Sequence, residues 1–290
     1  MKTNAAPAPF FGARASRTAL TTSFYLGMTL LALPFLFPFW WMITSSLKSA
    51  DEIFGRLTLL PESWHWQNFA RVFSYQPFAE QYFNSVYIAV IVTVGVLFLS
   101  SLAGFAFARI RFKGRSFLFL LLLSSLMMPT EVTIIPNFFL MKAFSLINTH
   151  VPLIVIPLFG AQGAFATFLM RQYFTTVPGE LGEAARMDGL GQFGTLMRIY
   201  LPIATAALGA AAILTFLASW NDYLDPLVYL NSIPLFTLPV ALNNFRDSYG
   251  LPVWELQLAA TTLAVVPVLV VYVAAQRYIT NVMAFSGLKG

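Results

Sequence analysis

An all-helical integral membrane protein is the fold class this sequence predicts, and three observations carry that reading. Of 290 residues, 58% are hydrophobic and only 10% are charged, whereas a soluble domain carries about a quarter charged residues. Six apolar runs are each long enough for the roughly 20 residues that a helix needs to cross a hydrocarbon core. The short alternating segments of a transmembrane barrel are absent.

The elements follow in order. Residues 1–22, small, polar and basic, read as a cytoplasmic N-terminal tail, and 23–281 as one transmembrane domain. The spans are predicted at 24–43, 85–108, 117–140, 151–170, 203–230 and 256–275, followed by a cytoplasmic tail at 282–290. The first apolar core is too long for a cleaved leader and no small-residue cleavage site follows it, so it reads as a retained helix. The fifth run is interrupted late by Asn221, Asp222 and Asp225. Ser100, Gly104 and Ala108 form a small-xxx-small face for close helix contact, and Ala206, Ala207, Ala210 and Ala211 form a similar one.

Basic residues set the predicted orientation. With the N-terminus inside, 12 of the 17 lysines and arginines fall in cytoplasmic segments and 5 in external ones. The short loop holding Arg109, Arg111, Lys113 and Arg115 is the densest cluster. Positive charge collects on the cytoplasmic side, so both termini are expected inside. That placement, rather than a nucleic-acid partner, accounts for the pI near 9.5.

The same orientation makes the segment 178–202 cytoplasmic. Pro178 suits the start of a helix, and Glu180 and Glu183 follow where the helix dipole favours negative charge. Leu181, Ala184 and Ala185 form a narrow apolar stripe. The helix is expected to stop at Asp188 and Gly189, because glycine readily takes the left-handed conformation that ends helices. Phe193, Leu196, Met197 and Tyr200 then share one face of a second short helix, and Pro202 introduces the fifth span. Periodicity alone fits either a helical hairpin lying on the membrane or one that docks into a partner.

The residues themselves go further. Glu-Ala-Ala-Arg-Met-Asp-Gly at 183–189, followed by Leu201 and Pro202, resembles the EAA signature of ABC importer permease subunits. Trp-Met-Ile-Thr-Ser-Ser-Leu-Lys at 41–48, Phe-Leu-Met-Arg-Gln-Tyr-Phe at 168–174 and Ser-Trp-Asn-Asp-Tyr-Leu-Asp-Pro at 219–226 are similar to the carbohydrate-uptake branch, the second permease subunit of maltose-type transporters. So are Gln276, Arg277 and Tyr278, and the final Gly-Leu-Lys-Gly. The tail departs, with Met-Ala-Phe-Ser-Gly at 283–287 where the family often has a Gly-Ala-rich stretch.

The resemblance implies a coupling hairpin between spans four and five, whose first helix docks into a cleft on an ATP-binding subunit. Glu183 would face a basic residue there, Ala184 and Ala185 would allow close approach, and Asp188 and Gly189 would make the turn. It also implies a second homologous permease, two ATP-binding subunits and an extracytoplasmic sugar-binding protein, in the cytoplasmic membrane of a bacterium or archaeon. No cofactor is expected on this chain; ATP and Mg belong to the ATPase subunits.

Three further regions attract attention. Glu131 lies inside an apolar run between Pro129 and Pro136; it either faces a cavity or caps a broken helix. Trp220, Asn221, Asp222 and Tyr223 combine an aromatic face with amide and carboxylate groups, which suits a sugar pathway and equally an ordinary helix end. The outer loop 231–252 carries Asn243, Asn244, Phe245, Arg246 and Tyr249, which by resemblance would contact the binding protein; a plain connector is the alternative.

Enzyme chemistry is not expected. There is no cysteine, and His65 and His150 are the two histidines, so thiol catalysis and cysteine- or histidine-built metal sites have no material. No GxxxxGK[ST] phosphate loop is present, so ATP must be hydrolysed on another chain. The leading expectation is an ABC importer permease for a sugar or oligosaccharide. The alternatives are a glycerol-phosphate or polyol importer, and a secondary carrier driven by protons through Glu131.

Overall fold

The computed structural model describes the backbone of residues 11–287 and side chains at 21–274 and 276. In chain order the helices are α1 (Phe11–Ser45), α2 (Ala50–Phe54), α3 (Gln67–Tyr75), α4 (Phe78–Arg109), α5 (Arg115–Ser125), α6 (Thr130–Ala143), α7 (Val151–Phe159) and α8 (Ala161–Thr176). They continue with α9 (Gly179–Met187), α10 (Gln192–Thr195), a π turn (Leu196–Tyr200), α11 (Leu201–Ile203), α12 (Thr205–Trp220), α13 (Leu224–Tyr229), a 3-10 turn (Ile233–Leu235), α14 (Leu238–Leu242) and α15 (Trp254–Gly287). Among the described residues the β structure is one isolated bridge, Arg246 to Pro252.

Four stretches are long and apolar enough to cross a membrane: Thr21–Ser45, Phe78–Arg109, Val151–Thr176 and Trp254–Ala274. Two more qualify only as bent pairs, and here the structure corrects the sequence reading. The run at 117–140 is not one helix but α5 and α6, set at 99° to each other. Pro129 causes the break: its extended backbone (φ −60°, ψ 140°) caps α6, and a proline disfavours helical conformation in the residue before it. Pro136 stays inside α6.

The fifth run is likewise divided. Residues Gln192–Ile203 meet α12 at 83°, and α12 stops at Trp220, short of the predicted 230. Asp222 accepts a hydrogen bond from the Asp225 N–H at 3.3 Å and so helps start α13 as a separate element. The predicted tails change as well. Helix α1 begins at Phe11, so residues 11–22 are helical rather than a loose tail, and α15 runs on to Gly287. The similarities at 277–278 and the departure at 283–287 concern side chains outside the described residues, and the final residues 288–290 lie outside them altogether.

Helix α4 is the central post. Its 32 residues span about 48 Å at 1.5 Å per residue, and it contributes to three successive cores. At one end Phe78 and Ala89 pack with Val72, Trp220, Phe245 and Leu256. In the middle Ile88, Val92 and Val96 meet Met141, Leu153 and Tyr229. At the far end Phe105 joins Met170, Phe174, Leu196 and Tyr200. Close approach explains the small face of α4: a Cβ on Gly104 would lie 2.8 Å from Met170 Cβ and 2.9 Å from the Arg171 backbone nitrogen.

The 41–48 stretch folds tightly onto the end of α1. Lys48, counted as an external charge in the sequence, is fully buried. Its Nζ donates to the Thr58 carbonyl at 2.6 Å and sits 4.5 Å from the Trp41 ring centroid. Asn68 Nδ2 donates to the Ser46 and Lys48 carbonyls, both at 3.0 Å. In contrast, Thr21–Ser45 presents a mostly exposed apolar surface, including Phe35 and Leu31.

Candidate functional site

The segment between α8 and α12 folds as a hairpin whose turn has a defined hydrogen-bond pattern. Asp188 is the C-cap of α9 and Gly189 takes φ +82°. The Leu190 N–H donates to the Ala185 carbonyl at 2.9 Å and the Gly189 N–H to the Arg186 carbonyl at 3.0 Å. These are the two bonds of a Schellman motif, which satisfies the last carbonyls of a helix. A Cβ on Gly189 would touch nothing within 4 Å, so the demand for glycine there is conformational and not steric.

Helix α9 has two unlike faces. Gly182 and Ala185 are buried against the hairpin's second arm, and a Cβ on Gly182 would lie 3.1 Å from the Tyr200 hydroxyl. Glu180, Glu183, Ala184 and Met187, at i, i+3, i+4 and i+7, are exposed, Met187 at 88%. The structure therefore splits the predicted small pair. Ala185 approaches its own chain closely, while Ala184 and Glu183 face outward with Leu181.

Tyr200 is the hub of this end, 2% exposed. Its ring meets Phe105 at 5.0 Å and Phe174 at 5.7 Å, both edge-on, and the Arg109 guanidinium lies 5.2 Å from its centroid. Each aromatic pair contributes about 0.5–1.5 kcal/mol beyond area burial. Arg109 in turn donates from Nε to the Phe174 carbonyl at 3.0 Å and from Nη2 to the Val177 carbonyl, covering the otherwise unpaired C-terminal carbonyls of α8. One arginine and one tyrosine thereby tie α4, α8 and the hairpin together.

Sequence reasoning placed Tyr200 on an apolar face but missed this hub and the role of Gly182. The available signal was the spacing of Gly182 and Ala185, three apart on one helical face. Leu201 and Pro202 close the hairpin. The Leu201 N–H bonds back to the Leu196 carbonyl, making the π turn, and Ala204 then ends α11 at the bend into α12. A cleft of about 530 Å³ opens between the arms and the end of α4, lined by Arg109, Arg111, Glu183, Arg186, Gln192 and Thr195.

The other predicted residues are dispersed. Glu131 is exposed in the first turn of α6, where the helix dipole favours a carboxylate. Trp220 is 4% exposed, stacked on Phe216 at 5.7 Å and edge-on to Tyr82 at 6.1 Å, so it belongs to the core. Asn221 and Tyr223 are exposed and Asp222 half-buried in the break after α12.

Within the outer loop, Phe245 is fully buried against Tyr75 and Phe78, and Asn244 is half-buried. Arg246 donates to the Asn243 carbonyl at 3.0 Å and the Gly250 carbonyl at 2.9 Å. Asp247, not singled out from sequence, accepts from the Tyr249 and Leu251 N–H groups, both at 2.9 Å. The projecting tip is Tyr249, 89% exposed, with Leu251 at 62%.

Comparison with known proteins now places this architecture. Residues 97–284 match the family model described as binding-protein-dependent transport system inner membrane component. The chain is 36% identical over 273 residues to the arabinooligosaccharides transport system permease protein AraQ of Halalkalibacterium halodurans, covering 91% of this chain and 95% of that one. It is 33% identical over 254 residues to the lactose transport system permease protein LacG of Rhizobium radiobacter, covering 87% and 91%. Among solved structures, a chain of a bacterial ABC transporter involved in import of the acidic polysaccharide alginate superposes with TM-score 0.77 at 25% identity, covering 93% of this chain and 99% of that one. The chain belongs to the inner-membrane permease components of binding-protein-dependent ABC transport systems, and is a multi-pass protein of the inner membrane.

Proposed function

We propose that this permease subunit imports a neutral sugar or oligosaccharide by ATP-driven alternating access, with α9 as the element that receives the ATPase stroke. Counting each bent pair as one crossing gives six spans, and the distribution of basic residues puts both termini and the hairpin in the cytoplasm. The observation that carries the reading is the two-faced α9. Its inner face is seated on Tyr200, while its outer face presents Ala184 and Met187, with Glu183 at the rim of the arginine-lined cleft. Glu183 has no ion pair among the described residues.

The partners follow from this reading: a second permease, two ATP-binding subunits holding ATP and Mg, and a soluble binding protein. Glu183 would meet a cation in the ATPase cleft. The Tyr249 tip of the outer loop would meet the binding protein, with Asn243 and Arg246 shaping it and Phe245 anchoring it. Glu131, Asn221, Asp222 and Tyr223 would border the pathway, with Trp220 supporting them from the core.

The relatives named for arabinooligosaccharide and lactose transport support a carbohydrate. An sn-glycerol-3-phosphate permease, UgpE of Yersinia enterocolitica, is 32% identical over 260 residues and keeps a phosphorylated substrate in view. The proposed pathway residues are acidic or neutral, which disfavours an anion. Uptake into vesicles holding the full complex decides the matter. Accumulation that needs ATP and the binding protein, and a binding protein that prefers an unphosphorylated sugar, is the expected result. Accumulation by the chain alone on a proton gradient would overturn the proposal.

A further inference from the structure

A second basic region adjoins the cleft beside the hairpin, sharing Arg111 with it, and its Arg115 and Arg171 have no part in the coupling reading. Where α4 gives way to α5, Gly114 (φ +82°) turns the chain and α5 begins with Arg115 and Ser116. Arg171 reaches the same place from α8. Together they line a cleft of about 230 Å³ whose remaining walls are apolar, chiefly Phe119, Leu120 and Leu123. A neighbouring hollow of about 410 Å³ shares Arg115 and Ser116 and adds Arg111.

The cations here are incompletely used. Arg171 lies 4.0 Å from the Phe119 ring centroid and donates from Nη1 to Gln172 Oε1 at 3.2 Å, yet its Nε is buried without a hydrogen-bond partner. Arg115 makes one long bond, 3.4 Å, to the Ile110 carbonyl. Among the described residues the ion pair within 4.0 Å is Arg71 with Glu255, so neither arginine has a carboxylate. The first turn of α5 carries no acidic residue and no side-chain cap, which leaves the Ser116 and Phe117 N–H groups and the dipole to favour an anion. The cleft also continues onto exposed apolar surface: Phe117 is 68%, Leu120 65% and Leu121 58% exposed.

We infer that this cleft is a binding site for an anionic phospholipid, its phosphodiester held by Arg115, Arg171 and Ser116 and its acyl chain laid along Leu120 and Leu123. Guanidinium forks suit phosphate oxygens, and basic pockets between membrane helices are suited to anionic headgroups. A soluble anion would not use the apolar wall. The inference goes beyond the coupling reading and needs only that the chain is membrane-inserted.

Native mass spectrometry of the detergent-purified complex tests it, with phosphatidylglycerol, phosphatidylcholine and inorganic phosphate as probes. Wild type is expected to retain one phosphatidylglycerol after phosphatidylcholine has been stripped. The R115Q/R171Q double variant should hold it about 25-fold more weakly, at roughly fivefold per arginine. Removing two distant charges, R56Q/K142Q, should change nothing. Ser116→Glu, which puts a carboxylate in the cleft, should reproduce the loss if the double variant fails to fold. Equal retention by wild type and Ser116→Glu, or no preference over phosphatidylcholine, would overturn the site. Arginine-dependent binding of inorganic phosphate without lipid retention would make it a soluble-anion site and overturn the lipid assignment.

Discussion

The two ends of this molecule are held together by different forces. At the outer-loop end, polar side chains clamp backbone. Asn148 Oδ1 accepts from the Asn231 and Ser232 N–H groups at 2.9 and 3.0 Å, and its own N–H donates to the Tyr229 carbonyl at 2.8 Å. Asn84 donates to the Pro234 carbonyl at 2.8 Å, Gln81 to the Ile233 carbonyl at 3.0 Å, and Ser85 accepts from the Leu238 N–H at 2.7 Å. His150 Nε2 donates to the Leu235 carbonyl at 2.7 Å, which leaves Nδ1 to accept from the Tyr87 hydroxyl.

At the hairpin end Arg109 clamps the last carbonyls of α8, and the Tyr173 hydroxyl donates to the Ile203 carbonyl at 2.8 Å. The side-chain hydrogen bonds of Arg186 and Thr195 close within their own turns, on the Gly182 and Gly191 carbonyls. Among the described residues α9 makes no side-chain hydrogen bond to another element, and what seats it is packing around Tyr200. Hydrogen bonds fix a register and break abruptly, whereas an apolar seat tolerates small rocking. The contrast fits the proposed function, in which the outer end holds a loop in one shape and the hairpin end transmits motion.

The largest effect that would break this comparison is functional. Gly189→Pro removes an N–H that donates to Arg186 and demands φ near −65° where the chain has +82°. Glu183→Lys reverses charge on the outward face beside Arg109, Arg111 and Arg186. Both are expected to abolish ATP-coupled uptake while membrane insertion, measured by protease accessibility, stays intact. Tyr200→Ala should cost about 3–5 kcal/mol of stability, read as a lowered detergent melting temperature, since it empties a packed aromatic site. Tyr200→Phe should keep most of that stability.

At the other end, Asn148→Ala strands two backbone N–H groups, at about 1–3 kcal/mol. Hydrogen exchange should rise in residues 230–240 and stay unchanged in 179–200. The smallest effect separates conformation from contact. Gly189→Ala should cost roughly 1–2 kcal/mol for the left-handed backbone alone, and Gly189→Asn less, because asparagine tolerates that region. A penalty much larger than this for alanine would mean that Gly189 is also needed for close contact with a partner.

Most of the fold was legible because composition and run length speak directly of lipid. The turn at Asp188 and Gly189 was legible because only a few residues end a helix that way. The bends were not, since periodicity cannot distinguish a kinked crossing from one broken by 99° at Pro129. Trp220 reads as pathway-lining by residue type and Phe245 as a binding-protein contact by resemblance, yet both side chains are core, because an aromatic ring serves either purpose and tertiary packing decides. The hub joining Arg109 to Tyr200 spans 91 positions of sequence, a separation no local pattern reports.

The most direct test of the central claim is a cross-link from the outward face of α9. The chain has no cysteine, so Met187→Cys gives a single reactive site on a residue 88% exposed. In membranes holding the whole transporter, a short thiol cross-linker is expected to join this site to the ATP-binding subunit, with a yield that changes when ATP is added. Cross-links that reach only lipid, or a yield to the ATPase no higher than from a site on the outer loop such as Tyr249→Cys, would contradict the account.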